Sequence, residues 1–528
     1  MAALVLGIDV GTTSTKVVLA DPAAGVVAQA SEPVALSSPH PGWAEADPAQ
    51  WWANLAALVP AVLAAASAAS GEPITAADIA AVATTGMVPA VIPVDHDGRP
   101  LRGAILQNDA RATTEIRELA AALPDLDFVA RTGSALTQQS VGPTLLWLAR
   151  HEPDAWAAAA TVQGSYDWLA TRLGAAPQVE RNWALESGLF ELEPDGALTP
   201  LHPVRDALAS LAGIKPEVIP PVADPGTVIG AVSRGAAAET GLRPGTPIVA
   251  GGADHVLSAY AAGLASPGDW LVKLGGAGDI LVVSGYPLVD ERLYLDAHPV
   301  TGLWLPNGCM ATSGSLIRWF QSVSGTAANP VPVAELEAEA IAARGAELIC
   351  LPYFLGEKSP LHDPDLRGAF LGLHLGHTRG DLYRSILEGI AYGFRHHAEI
   401  FAERRVALRP TARVSNGGSK SVVWKQILAD ALGVALEPVL DHPGAALGAA
   451  LAAAVGTGAG GTGAGGTGTP PPQAWAAAAS VPGMVTIGAP IEPDPAHAAR
   501  YAEAYQVYRD AGAALTPISH RLATRRTS

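Results

Sequence analysis

Apolar and polar positions fall into short alternating blocks from the start of the chain. Ala3 to Ile8 is an apolar run of strand length, Asp9 to Thr15 is a polar turn with one glycine, and Lys16 to Ala20 is a second apolar run. Two such runs around a glycine turn predict a hairpin. A third strand is expected at Val26 to Ser31. From Asp47 to about Ala250, segments with helical spacing alternate with short apolar runs, which argues for α/β architecture. Midway, Trp270 to Leu274, Gly275 to Gly278 and Asp279 to Ser284 repeat the order strand, glycine-rich turn, strand. The repetition predicts two related domains, with a border at the Pro244-Gly245-Thr246-Pro247 punctuation, giving 1–247 and 248–528.

Two stretches need separate treatment. Ala49 to Gly71 is uncharged and long enough to span a bilayer, but it is mostly Ala with Gln50, Asn54, Pro60, Ser67 and Ser70, so a packed surface helix is expected. Residues 456–472 are Gly, Thr and Ala ending in three prolines, which predicts a flexible insertion between helices.

Composition narrows the function classes. The 528 residues suffice for roughly three domains or two large ones. Thirty-three Lys and Arg against fifty Asp and Glu give a net charge of −17, the wrong sign for tracking nucleic acid or an anionic membrane. An acidic protein can still bind a polyanion such as ATP through local N–H groups, a few cations and Mg²⁺. Only six lysines occur, at 16, 215, 273, 358, 420 and 425, and in a chain this rich in Arg each marks a place where a compact ammonium matters. Two cysteines, Cys309 and Cys350, exclude a disulfide framework, and the N-terminus lacks a signal-peptide pattern, so a cytoplasmic protein is expected. The histidines show no metal-ligand spacing, and no Gly-x-Ser-x-Gly elbow is present.

Three constellations carry candidate chemistry. In the first hairpin turn, Gly11, Thr12, Thr13 and Lys16 offer backbone N–H groups, hydroxyls and a charge to a phosphate, and Asp9 is placed to hold Mg²⁺. Asp254 follows Ile248-Val249-Ala250-Gly251-Gly252-Ala253 at the start of a helical stretch, where a carboxylate is either a helix cap or a group aimed into a cleft. Val414 to Ser421 places Gly417, Gly418 and Lys420 ahead of an amphipathic helix over Val422 to Leu432, which suits a nucleotide or is an ordinary helix start.

Taken together these residues resemble the FGGY carbohydrate kinases, closest to the xylulokinase-like members, from Gly7 to about Arg509. The most specific element is Gly368-Ala369-Phe370-Leu371-Gly372-Leu373, then seven residues, Asp381-Leu382, two residues and Ser385-Ile386-Leu387-Glu388. Gly42-Trp43-Ala44-Glu45-Ala46-Asp47, Leu351 to Pro360, Trp424 to Asp430 and Gly444 to Gly448 agree as well. The resemblance implies two actin-like, ribonuclease H-like domains closing on a cleft that holds a small sugar and ATP, and it is compatible with a homodimer. It implies Asp254 as catalytic base, Asp9 on Mg²⁺, and Thr12, Thr13 and Lys16 near the transferred phosphoryl group. Gly275 and Gly276 would line the second phosphate turn, and Gly417, Gly418 and Lys420 the adenosine side. Met87, Val88, Asn108, Asp109 and Arg111 would join Asp254 around the sugar.

D-xylulose is the leading substrate, with another pentulose, erythritol, ribitol or gluconate as alternatives; a non-catalytic sensor or an actin-like ATPase lies outside the class. Five positions depart from the xylulokinase pattern. Val88 stands for His, Gln107 for Trp and Thr144 for Lys, and Gly276-Ala277 replaces a hydroxyl pair.

Overall fold

In the computed structural model of the chain, residues 3–459, 468–480 and 483–524 are described. The first large sheet begins with β1 (Leu4–Val10), β2 (Ser14–Asp21) and β3 (Gly25–Pro33), an antiparallel meander joined by the expected polar turns. Helix α1 (Pro48–Ser70) follows, capped by Asp47 at one end and by left-handed Gly71 at the other. It lays Trp51, Leu55, Leu58, Val59 and Val62 onto β2 and β3, which is how this long uncharged helix buries its apolar face. Strand β4 (Ile79–Gly86) runs parallel to β1. The short helix α2 (Arg181–Glu186) precedes β5 (Val228–Ala231) and β6 (Pro247–Ala253), and β6 leads directly into α3 (Asp254–Ala261). The strand order is β5-β6-β4-β1-β2-β3.

The second large sheet repeats the plan. Strands β7 (Trp270–Leu274), β8 (Gly278–Val282) and β10 (Trp304–Met310) are antiparallel, with β9 (Tyr294–Ala297) as an added edge. Helices α4 (Gly314–Ser324), α5 (Val333–Ala342) and α6 (Arg379–Glu403) come next. Strand β11 (Thr411–Ser415) is parallel to β7, and after α7 (Val422–Leu432) strand β12 (Ala435–Leu440) is parallel to β11. Helix α8 (Ala445–Thr457), β13 (Thr486–Ile487) and α9 (Ala498–Thr524) complete the chain. The order is β9-β10-β8-β7-β11-β12-β13, so β7, β8, β10, β11 and β12 stand where β1, β2, β3, β4 and β6 stand in the first sheet. The sequence repeat is therefore a structural one, and α3 and α8, each following the equivalent strand, pack on one another.

Two sequence expectations are corrected here. The border at 247/248 cuts the chain at the first residue of β6, which pairs with β4 inside the first sheet, so that sheet and its helix extend through Ala261. Helix α8 lies far along the chain and packs on β1, β4 and β6 as well as on α3. The proposed flexible insertion is also narrower than 456–472. Gly456 and Thr457 belong to α8, and Pro472 opens a helix reaching Ala479. Residues 460–467 lie outside the described residues.

Candidate active site

The carboxyl ends of the parallel strands bring the first two constellations together, the position where open α/β sheets place ligands. Asp9 on β1 is level with Thr85 on β4, and Thr85 with Gly252 on β6, two residues before Asp254. Gly251 permits this approach, because a Cβ there would lie 1.8 Å from the Thr84 carbonyl oxygen. Across the hairpin Asp9 faces Lys16, whose Nζ donates to the Pro443 carbonyl at 3.2 Å. Gly11 N donates to Ser14 O at 3.0 Å, so the turn carries Thr12 half-buried and Thr13 exposed.

Charge at this apex is unbalanced. The Asp9 Oδ1 atom is buried with no hydrogen-bond partner. Burial, and then the negative charge of Asp254, push the Asp9 carboxyl up to about 7, against the pull of Lys16 and Lys273. Burial also pushes Asp254 upward, but the hydrogen bond and charge of His255, with Lys273, outweigh it and hold Asp254 below the usual carboxylate range. Asp254 is the first residue of α3 and Ala253 its cap, so the helix-cap alternative does not apply. An unpartnered carboxylate oxygen between a second carboxylate and two ammonium groups fits a divalent cation, so Asp9 is the residue that would hold Mg²⁺.

The third constellation lines a cavity of about 640 Å³ in the second half, a size suited to a nucleotide portion. Gly275 and Gly276 from the turn between β7 and β8 meet Gly417, Gly418 and Lys420 from the turn after β11. Gly418 has no room for a side chain: a Cβ would lie 2.4 Å from the Trp424 ring and 2.6 Å from Leu274. Asn416 turns the chain into the cavity with φ 71 and ψ −173, a strained conformation otherwise nearly confined to glycine. The opposite wall comes from α4 and α5, through Ile317, Arg318, Val333 and Glu337, none of which carried a sequence signal. Beside the second phosphate turn, where the sequence has lost its hydroxyls, Thr312 Oγ1 and Ser313 Oγ are buried without partners.

Comparison with known proteins now adds the lineage. The model of the FGGY carbohydrate kinase N-terminal domain matches residues 4–261, and that of the C-terminal domain matches 286–457. The chain belongs to the FGGY family of carbohydrate kinases. The solved xylulose kinase of Rhodospirillum rubrum superposes with a TM-score of 0.84 at 43% identity, covering 98% of this chain and all of that one. The xylulose kinase of Escherichia coli K12 is 28% identical over 453 residues, 85% of this chain and 88% of that protein. The L-xylulose/3-keto-L-gulonate kinase of the same organism is 30% identical over 465 residues, 86% and 88% of the two chains.

In this FGGY kinase the expected sugar-facing residues divide. Met87 and Val88 are buried and pack into the apolar cores. Asn108 is exposed. Asp109 and Arg111, expected to contact the sugar, pair with one another, and Arg111 Nη1 is left without a hydrogen-bond partner. Arg111 Nε and Nη2 donate to the two Asp109 oxygens at 2.9 and 2.7 Å, and Nη2 also reaches Glu45 Oε1 at 2.6 Å. The guanidinium lies 3.8 Å from the Trp43 ring centroid and 4.9 Å from that of Trp147. Together they brace the loop, leaving Gln107 Oε1 as a buried oxygen without a partner. Two further residues had no assigned place in the site from the sequence, although Lys273 stood out as one of six lysines. Lys273 acts on both Asp9 and Asp254 from the other sheet. The half-buried His442 ring donates from Nε2 to Ser258 O, 3.1 Å away, and is pushed down to about 4 by burial, then by Lys273 and Lys16.

Proposed function

We propose that this sugar kinase transfers the γ-phosphoryl group of ATP to a primary hydroxyl of a small ketose, with D-xylulose to D-xylulose 5-phosphate as the leading reaction. The observation that carries the reading is the meeting of Asp9, Asp254, Lys16 and Lys273, from both sheets, beside a glycine-lined cavity. Asp254, ionised at neutral pH, accepts the hydroxyl proton as the sugar oxygen bonds to phosphorus and the bond to the bridging oxygen of ADP breaks. Lys16 and Lys273 offset the negative charge that the phosphates bring between two carboxylates. Mg²⁺, held by Asp9, would neutralise phosphate oxygens in the same place. Xylulose is favoured by the relatives just described.

A second reading, a different pentulose, a polyol such as erythritol or ribitol, or gluconate, draws on Val88 and Gln107 at positions where the xylulokinase pattern has His and Trp. A coupled ADP-release screen of pentuloses, hexuloses, polyols and aldonates separates the two. The expected result is highest kcat/KM with D-xylulose. Asp254→Ala is expected to stay folded and lose about 10²- to 10⁴-fold in sugar-dependent turnover; near-parental turnover in that variant removes the base assignment.

A further inference from the structure

The Asp254 carboxylate has a neighbour built from three other elements. His255 lies between two carboxylates, with Nδ1 3.5 Å from Asp254 Oδ1 and Nε2 2.8 Å from Asp296 Oδ2. Asp296 is on β9 of the second sheet, is nearly inaccessible to solvent, and also accepts a 2.7 Å hydrogen bond from Asn307 Nδ2 on β10. Behind it stands Glu186, the last residue of α2. That helix is fastened to β9 by Asn182, which accepts from Ala297 N at 2.7 Å and donates to Ala297 O at 3.1 Å.

Counting protons settles the state of this cluster. A ring whose two nitrogens both face carboxylates satisfies them only by donating from both, which requires the imidazolium. The same arrangement leaves no lone pair for a metal, although Glu186, His255 and Asp296 place one ligand-type atom each within 4.8 Å of the others. Glu186 Oε1 and Asp296 Oδ1 are both buried without a partner. One proton on Glu186 supplies a partner, and burial followed by the charge of Asp296 holds that carboxyl well above its usual range. Further out, Tyr166, Glu180, Tyr294, Lys273 and Asp9 are charged or titratable groups acting on cluster members.

We propose that His255 is a positioning residue: clamped between Asp254 and Asp296 and backed by protonated Glu186, its imidazolium fixes the Asp254 carboxylate and keeps it charged. The proposal rests on the reading of Asp254 as the base. Without the imidazolium, Asp254 would keep its burial and the repulsion of Asp9 while losing its nearest opposite charge, so it would hold a proton to higher pH. Because Asp296 comes from the second sheet, both halves of the molecule set the state of one carboxylate.

The test compares the parent with His255→Asn, His255→Gln, Asp296→Asn and Asp254→Asn. The acid limb of the kcat/KM profile for the best sugar is the readout, with far-UV circular dichroism and thermal midpoints reporting folding. Removing an opposite charge at this distance is expected to move the limb to higher pH by about one unit or more in both His255 variants. Asp296→Asn is expected to move it in the same direction. Histidine ¹⁵N spectra of the parent, assigned by the signal lost in His255→Asn, are expected to show a doubly protonated ring at neutral pH. A neutral His255 ring there, or an unmoved limb in a folded His255 variant whose only change is a lower kcat, overturns the proposal. Full turnover in Asp254→Asn overturns it together with the base reading. Loss of turnover in Asp254→Asn with an unmoved limb in the His255 variants overturns this proposal alone.

Discussion

Asp9 is held in the fold at an electrostatic cost. Its carboxyl sits at about 7 in the folded protein against 3.8 when free. A group raised in this way favours the folded state while protonated, and the penalty grows as pH rises from the unfolded value through 7. Asp9→Asn is therefore expected to stabilise the fold at pH above 7 by on the order of 2 kcal/mol after allowance for partial exposure, seen as a higher thermal midpoint, with no gain below about pH 4. Equal gains at both ends would contradict this origin. The glycine-lined cavity makes a steric prediction. Gly418→Ala pushes a methyl group into Trp424 and Leu274, and over-packing of this kind costs about 1 to 3 kcal/mol. Roughly tenfold weaker binding of an ATP analogue by calorimetry is expected, with the fold intact. At this scale the chemistry-bearing residue types were legible, since Asp9, Asp254 and the glycines lie in local motifs. Asp296 and Glu186 were not, and Lys273 stood out only as a rare lysine, because nothing in the chain near them says what they face.

Small residues set how elements approach. Helix α8 is nearly all Ala and Gly, and it reads in sequence almost as an extension of the low-complexity tract that follows. In the fold that composition lets two backbones touch. A Cβ on Gly7 of β1 would lie 1.9 Å from Ala446 O, and one on Gly448 would lie 2.3 Å from Leu257 O on α3. Gly7→Val is expected to lower stability by at least about 1 to 3 kcal/mol, seen as an earlier denaturation midpoint. An unchanged midpoint would mean that α8 can move off the sheet without loss. The hairpins, α1 and α7 were readable because their periodicity and caps are local. The end of α8 was not, since Gly456 reads as part of the Gly/Thr tract, whereas in the fold it lies so close to Gly226 and Val249 that a Cβ would come 2.5 Å from Gly226 O.

Viewed whole, the acidic chain keeps its few ammonium groups where polyanions would come. Lys273 acts on both Asp9 and Asp254 and Lys16 on Asp9, from opposite sheets, and Lys420 lines the cavity. Since the carboxylates and the nucleotide cavity sit on different sheets, simultaneous binding of sugar and a non-hydrolysable ATP analogue is expected to draw the halves together. Small-angle scattering should show a smaller radius of gyration with both ligands than with either alone; no change would argue for a cleft already closed.

The sequence alone determined the α/β class, the internal repeat, the family resemblance and the residue types at each phosphate turn, because these depend on neighbours along the chain. Tertiary structure decided the rest. It carried the first sheet past the expected border, turned Asp109 and Arg111 onto each other, and set His255 between Asp254 and Asp296. Those outcomes depend on which strand ends and helix faces meet, and on the desolvation and charge that arise only when they do.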